Sequence, residues 1–142
     1  MDNNYLKLNN QLTNLKADLQ KLIDTGSTKS FEDKIAYGYI ESLFDSVDMA
    51  IYKIEHFSKP TIEGTLHENA SGKFDLLDRS GKYITYFSCG SPIECFIEED
   101  GEKQWIAGRV EHTTKNGNSG YYFYGGDKPF LHNGMRARIR KD

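Results

Sequence analysis

Apolar residues over positions 1–59 recur at helical spacing. Tyr5, Leu8, Leu12, Leu15, Leu19 and Leu22 are separated by 3, 4, 3, 4 and 3 positions, the rhythm of an a/d heptad seam. Thr25-Gly26 closes this segment, with Gly26 placed to take a left-handed conformation past a helix end. Ser30 then reads as an N-cap, with Asp33 three positions on as a weaker capping box. A second seam follows at Tyr37, Ile40, Phe44, Val47, Ile51 and Ile54, widened by Ala36, Leu43, Ala50 and Phe57 at seven-residue intervals. The short connection from Asp24 to Lys29 predicts an antiparallel helical hairpin. The wider stripe implies that the second helix touches something besides the first, either the C-terminal part or a second copy of the chain.

The pattern changes at Pro60. Residues 1–59 hold only Gly26 and Gly38 and no proline, whereas residues 60–142 hold the other 11 glycines and all three prolines. Seven segments there alternate in the manner of strands: Ile62–His67, Lys73–Leu77, Lys82–Phe87, Ile93–Glu98, Gln104–His112, Tyr121–Tyr124 and Met135–Arg140. Ser71-Gly72, Ser80-Gly81, Asp100-Gly101, Asn116-Gly117, Gly125-Gly126 and Asn133-Gly134 lie between them as turn pairs. The expected fold class is α+β, with a helical hairpin over 1–59 and a small antiparallel β-barrel or meander over 60–142.

Composition and charge narrow the function classes. The chain has 142 residues, is 37% hydrophobic and carries a net charge of -3. That balance argues against a uniformly basic nucleic-acid coat. No run approaches the length of a membrane span and no signal peptide is visible, so a cytoplasmic protein without membrane contact is expected. Cys89 and Cys95 then read as reduced, buried thiols.

Three groups of residues carry candidate chemistry. If Met135, Ala137 and Ile139 face a core, Arg136, Arg138 and Arg140 point outward together, able to meet phosphates or carboxylates. Outward charge of this kind also protects an edge strand from pairing. Trp105 and Arg109 share a strand face, and Tyr122 and Tyr124 share another; rings beside arginines form stacking surfaces for nucleic acid or protein hot spots. Both aromatic faces are also natural candidates for coverage by the hairpin. Glu98, Glu99 and Asp100 form an acidic run around Asp100-Gly101 that presents a phosphate-like field or a solvated hairpin tip. Glu111, Arg109 and His132 offer a weak acid–base set, with His112 on the opposite side. No nucleophile elbow, phosphate loop or metalloprotease motif occurs. No catalytic residue, cofactor or metal site is therefore assigned, since Cys89 and Cys95 and the histidines lack ligand spacing.

The ordered string Gly64-Thr65-Leu66, Gly81-Lys82-Tyr83, Gly90-Ser91-Pro92-Ile93-Glu94, Trp105-Ile106-Ala107-Gly108-Arg109-Val110-Glu111, Tyr121-Tyr122-Phe123 and Gly134-Met135-Arg136-Ala137-Arg138-Ile139 resembles a small all-β family of unknown function. That family occurs in Gram-positive bacteria, particularly on plasmids, conjugative elements and phages. The resemblance covers residues 62–140 and supplies no catalytic residue. By association it implies an accessory protein that acts against host defence, as anti-CRISPR inhibitors of RNA-guided nucleases do. The expected function is non-enzymatic: binding a bacterial nucleic-acid-processing complex, such as an RNA-guided nuclease or its guide complex. The alternative is direct nucleic-acid binding through the arginine and aromatic face. A homodimer through the hairpin is a further expectation.

Overall fold

A computed structural model describes the backbone of residues 1–142 and every side chain except that of residue 116. The chain divides into two compact units, Met1–Pro60 and Thr61–Asp142.

In the first unit, α1 spans Asn3–Thr25 and α2 spans Phe31–Ser58. The Asp2 carboxylate accepts the Asn4 N–H at 2.8 Å, and Ser30 Oγ accepts the Asp33 N–H at 3.0 Å. Each cap satisfies a donor that the first helical turn would leave orphaned. Gly26 corrects the sequence expectation: its φ of -66° and ψ of 145° are extended, not left-handed. Glycine is needed there for space, because a Cβ would strike the Leu22 carbonyl oxygen that accepts the Gly26 N–H.

The helices pack antiparallel around Leu19, Val47 and Ile51, with Leu12, Ile40 and Phe44 against them. The seam in α1 is rotated from the one its spacing suggested. Asn9 and Lys16 are turned toward α2, where Asn9 donates to Glu55 at 3.3 Å and Lys16 pairs with Asp48 at 2.6 Å. That rotation carries Leu12 and Leu19 inward but leaves Leu8, Leu15 and Leu22 exposed.

The second unit is a seven-stranded antiparallel sheet curled into a half-barrel. Its strands are β1 (Thr61–Glu68), β2 (Phe74–Leu77), β3 (Tyr83–Phe87), β4 (Pro92–Glu99), β5 (Glu102–Thr113), β6 (Gly120–Tyr124) and β7 (Arg136–Arg140). All seven predicted strands are present. Their order, β3-β2-β1-β7-β4-β5-β6, is not that of a single meander. Two three-stranded meanders are joined by the last strand, which lies between β1 and β4. β7 is therefore a central strand, and its outward arginines do not guard an edge.

Turn chemistry sets the hairpins. Asn69 Oδ1 accepts from the Ser71 and Lys73 N–H groups, and Asp78 Oδ1 accepts from those of Ser80 and Lys82. One Asx-x-Ser-Gly-Lys device thus builds both the β1–β2 and β2–β3 connections. Asp100 and Gly101 have φ of 54° and 81°, the paired positive values of a two-residue hairpin that keeps β4 and β5 in register. The free edge of β6 is covered by main-chain bonds to Pro129 and Leu131.

The concave face is the core, where Leu66, Leu76, Cys95, Val110, Phe123 and Ala137 have no exposure. Burial pushes the Cys95 thiol up to about 12, so it stays neutral. Cys89, expected to be buried, is exposed, because it sits in the turn before β4.

Phe123 packs where Gly108 leaves room for it. A Cβ at Gly108 would lie 2.7 Å from Phe123 Cε1 and closer still to the Tyr124 carbonyl oxygen. Gly108→Ala is expected to destabilise the sheet unit by about 2 kcal/mol, as overpacking of a tight core does; a urea unfolding midpoint unchanged from the wild type would contradict this.

Candidate functional site: the outer face of the sheet

Alternation along β7 sends Ala137 and Ile139 to the core and Arg136, Arg138 and Arg140 to the convex face. Their positions fix their partners. Arg138 is in register with Glu63 on β1 and with Glu94 on β4. Two guanidinium groups converge on Glu94. Arg138 donates to Oε1 through Nε at 3.0 Å and Nη2 at 2.8 Å. Arg140 donates through Nε to Oε2 at 2.7 Å and through Nη2 to Oε1 at 3.0 Å. Arg136 pairs with Glu63.

The carboxylate of Glu94 is 8% exposed and the side chains of Arg138 and Arg140 are 21% and 14% exposed. Burial raises the Glu94 pKa, but hydrogen bonds and charge from Arg140 and Arg138 outweigh it and hold the carboxyl below its ordinary value.

Rings extend this network. Phe96 and Trp105 are cross-strand partners with centroids 5.2 Å apart. The Arg138 guanidinium lies 4.1 Å from the Trp105 centroid, and that of Arg136 lies 4.5 Å from Phe96. Farther along β5, Arg109 donates to Glu111 at 2.8 Å and stands 4.2 Å over the Tyr124 ring. Lys128 covers the same ring at 4.4 Å, and Tyr122 neighbours it. Arg109 and Trp105, four residues apart on one strand face, are roughly 13 Å from each other at strand rise.

The structure thus gathers Arg136, Arg138, Arg140 and Trp105 into one cluster and Arg109, Tyr122 and Tyr124 into a second on the same face. The acidic residues separate. Glu98 shares the outward face of β4 and opposes Lys103, while Asp100 is exposed at the hairpin tip. Glu99 turns the other way, toward Gly126, where its Oε2 has no hydrogen-bond partner. Glu111 is engaged by Arg109, and the His132 ring faces the Asn133 carbonyl. Among the described residues there is no group of three or more His, Cys, Asp or Glu able to hold a metal, and no helix is long and apolar enough to cross a membrane.

Sequence reasoning passed over Glu63, Glu94, Phe96 and Lys128. A signal was present for Glu94: a lone carboxylate between the inward Ile93 and Cys95 must point to the arginine face.

Removing the charge of Glu94 leaves two guanidinium groups half-buried without their anion. Glu94→Gln is expected to cost about 3 kcal/mol, read by urea denaturation at neutral pH. Because the folded carboxyl titrates below its unfolded value of 4.5, its contribution is present above that pH and is lost as the pH falls through the folded value. The stability of Glu94→Gln is accordingly expected to change less than that of the wild type between pH 7 and about pH 3; equal slopes would contradict the pairing.

Comparison with known proteins finds one family for the sheet unit. No curated protein and no solved structure matches the chain. Residues 64–139, more than half of the chain and nearly all of the sheet from β1 to β7, match the family described as Domain of unknown function (DUF5348). The chain belongs to that family; Glu94, Trp105, Arg136 and Arg138 lie within the matched region, and their partners Glu63 and Arg140 stand one residue beyond its two ends.

Proposed function

We propose that the chain is a non-enzymatic interaction protein that docks a protein partner on the convex face of its sheet. One observation carries the reading: guanidinium groups stacked on rings across that face, with Arg109 and Arg136 still about half exposed. Arginine and aromatic residues are the side chains most enriched at interface hot spots.

The charge balance favours protein over nucleic acid. On this face Arg109 pairs with Glu111, Arg136 with Glu63, and Arg138 and Arg140 with Glu94, while Lys103 opposes Glu98, so most of the positive charge already meets carboxylates. A surface built to bind a polyanion leaves its cations for phosphates; here most are spent internally. By association with mobile-element accessory proteins alone, the proposed partner is a nucleic-acid-processing defence complex of a bacterial host, with an RNA-guided nuclease the sharpest candidate. In that setting the chain is a cytoplasmic, mobile-element inhibitor of the anti-CRISPR kind. Direct nucleic-acid binding is the second reading, favoured by the exposed pair Arg109 and Lys128 over Tyr124.

Purified chain titrated against a reconstituted RNA-guided nuclease with its guide, and against single- and double-stranded oligonucleotides, separates these readings. Saturable binding to the nuclease, weakened at least tenfold by Arg109→Glu or Tyr124→Ala, is expected, with no oligonucleotide binding. Oligonucleotide binding that falls steeply with salt would transfer the face to the second reading. Neither kind of binding would remove both.

A further inference from the structure

The hairpin has two unlike flanks. Asn9–Glu55 and Lys16–Asp48 pair across one of them. Helical geometry places Leu8, Leu15 and Leu22 of α1 on the other, beside Ala36, Leu43 and Ala50 of α2. Leu22 and Ala36 line one groove near the turn of the hairpin, consistent with that placement. Leu8, Leu15, Leu22 and Leu43 are 42%, 40%, 50% and 45% exposed. A leucine row two helical turns apart at each step is an unusual thing to leave facing water.

We infer that this apolar flank binds the same flank of a second copy, forming a four-helix bundle from two hairpins. Three observations select that occupant. The row Leu8, Leu15, Leu22 is evenly spaced about Leu15, so a two-fold axis at the level of Leu15 sets Leu8 of each copy against Leu22 of the other, the reciprocal pairing of an isologous interface. Residues 1–59 carry nine acidic and seven basic side chains; the resulting -2 offers little repulsion between copies. The area is also adequate. The 23 residues of α1 make a helix about 34 Å long, and two helices side by side present a face about 20 Å wide. The footprint is roughly 700 Å² per copy, close to the ~800 Å² per partner of a standard stable interface.

Sedimentation equilibrium of the full chain tests this. The wild type is expected to be a dimer at tens of micromolar, and Leu15→Glu or Leu43→Glu a monomer with unchanged helical circular dichroism. Ser42→Glu, which adds the same charge away from the flank, is expected to remain dimeric. Should Leu15→Glu lose helix, Leu15→Ala replaces it, with self-association at least tenfold weaker. A wild type still monomeric at about 100 micromolar, a Leu15→Glu variant that stays dimeric, or Leu15→Ala with unaltered self-association would each overturn the inference. None of these outcomes bears on the sheet face.

Discussion

Glu94 joins the two halves of the sheet. The backbone ladder between β4 and β7 has only two register pairs, Glu94 with Arg138 and Cys95 with Ala137, whereas β1 and β7 share five. One carboxylate taking four N–H donors from Arg138 and Arg140 reinforces this short seam on its convex side. On the concave side, Cys95 and Ala137 close it with wholly buried contacts. Charge pairing on one face and packing on the other hold the same two residue pairs.

The guanidinium groups do several things at once. Their N–H edges bond glutamates while their flat faces lie on Trp105, Phe96 and Tyr124. Arginine permits this because its charge is delocalised over a plane that stacks and its donors lie in the rim of that plane; lysine, a compact point charge, would satisfy one demand at a time. The face is consequently rigid, nearly neutral and aromatic. Such a surface recognises shape and specific hydrogen-bond partners more than it attracts opposite charge from a distance.

The strands were legible in the sequence because several alternate clearly and turn pairs separate most of them. The insertion of β7 between β1 and β4 was not, since nothing local records which strands become neighbours. That one missing fact reversed the meaning of the arginine row, from a candidate guard on an edge to the middle of a network. The candidate residues Trp105, Arg109, Arg136, Arg138 and Arg140 were found by counting faces along single strands. Glu63 and Glu94, which complete them, belong to other strands and emerge only once register is known. In the hairpin, spacing alone could not distinguish the two rows of α1. The row that packs on α2 is the one with Leu12 and Leu19, and Asn9 and Lys16 beside it pair with Glu55 and Asp48.

The place of β7 also bears on how the sheet unit comes into being. Thr61 at the start of β1 pairs with Arg140 at the end of β7, so the first strand made must wait for the last. Until β7 arrives, β1 and β4 each expose an inner edge of unpaired main-chain groups, and each meander is a small sheet with an open side. Closing so long a loop is entropically costly and slow compared with forming hairpins. Assembly is therefore gated by one late strand whose arrival joins two half-sheets in a single event, and a chain stalled or cleaved before it would present two sticky edges instead of one finished surface.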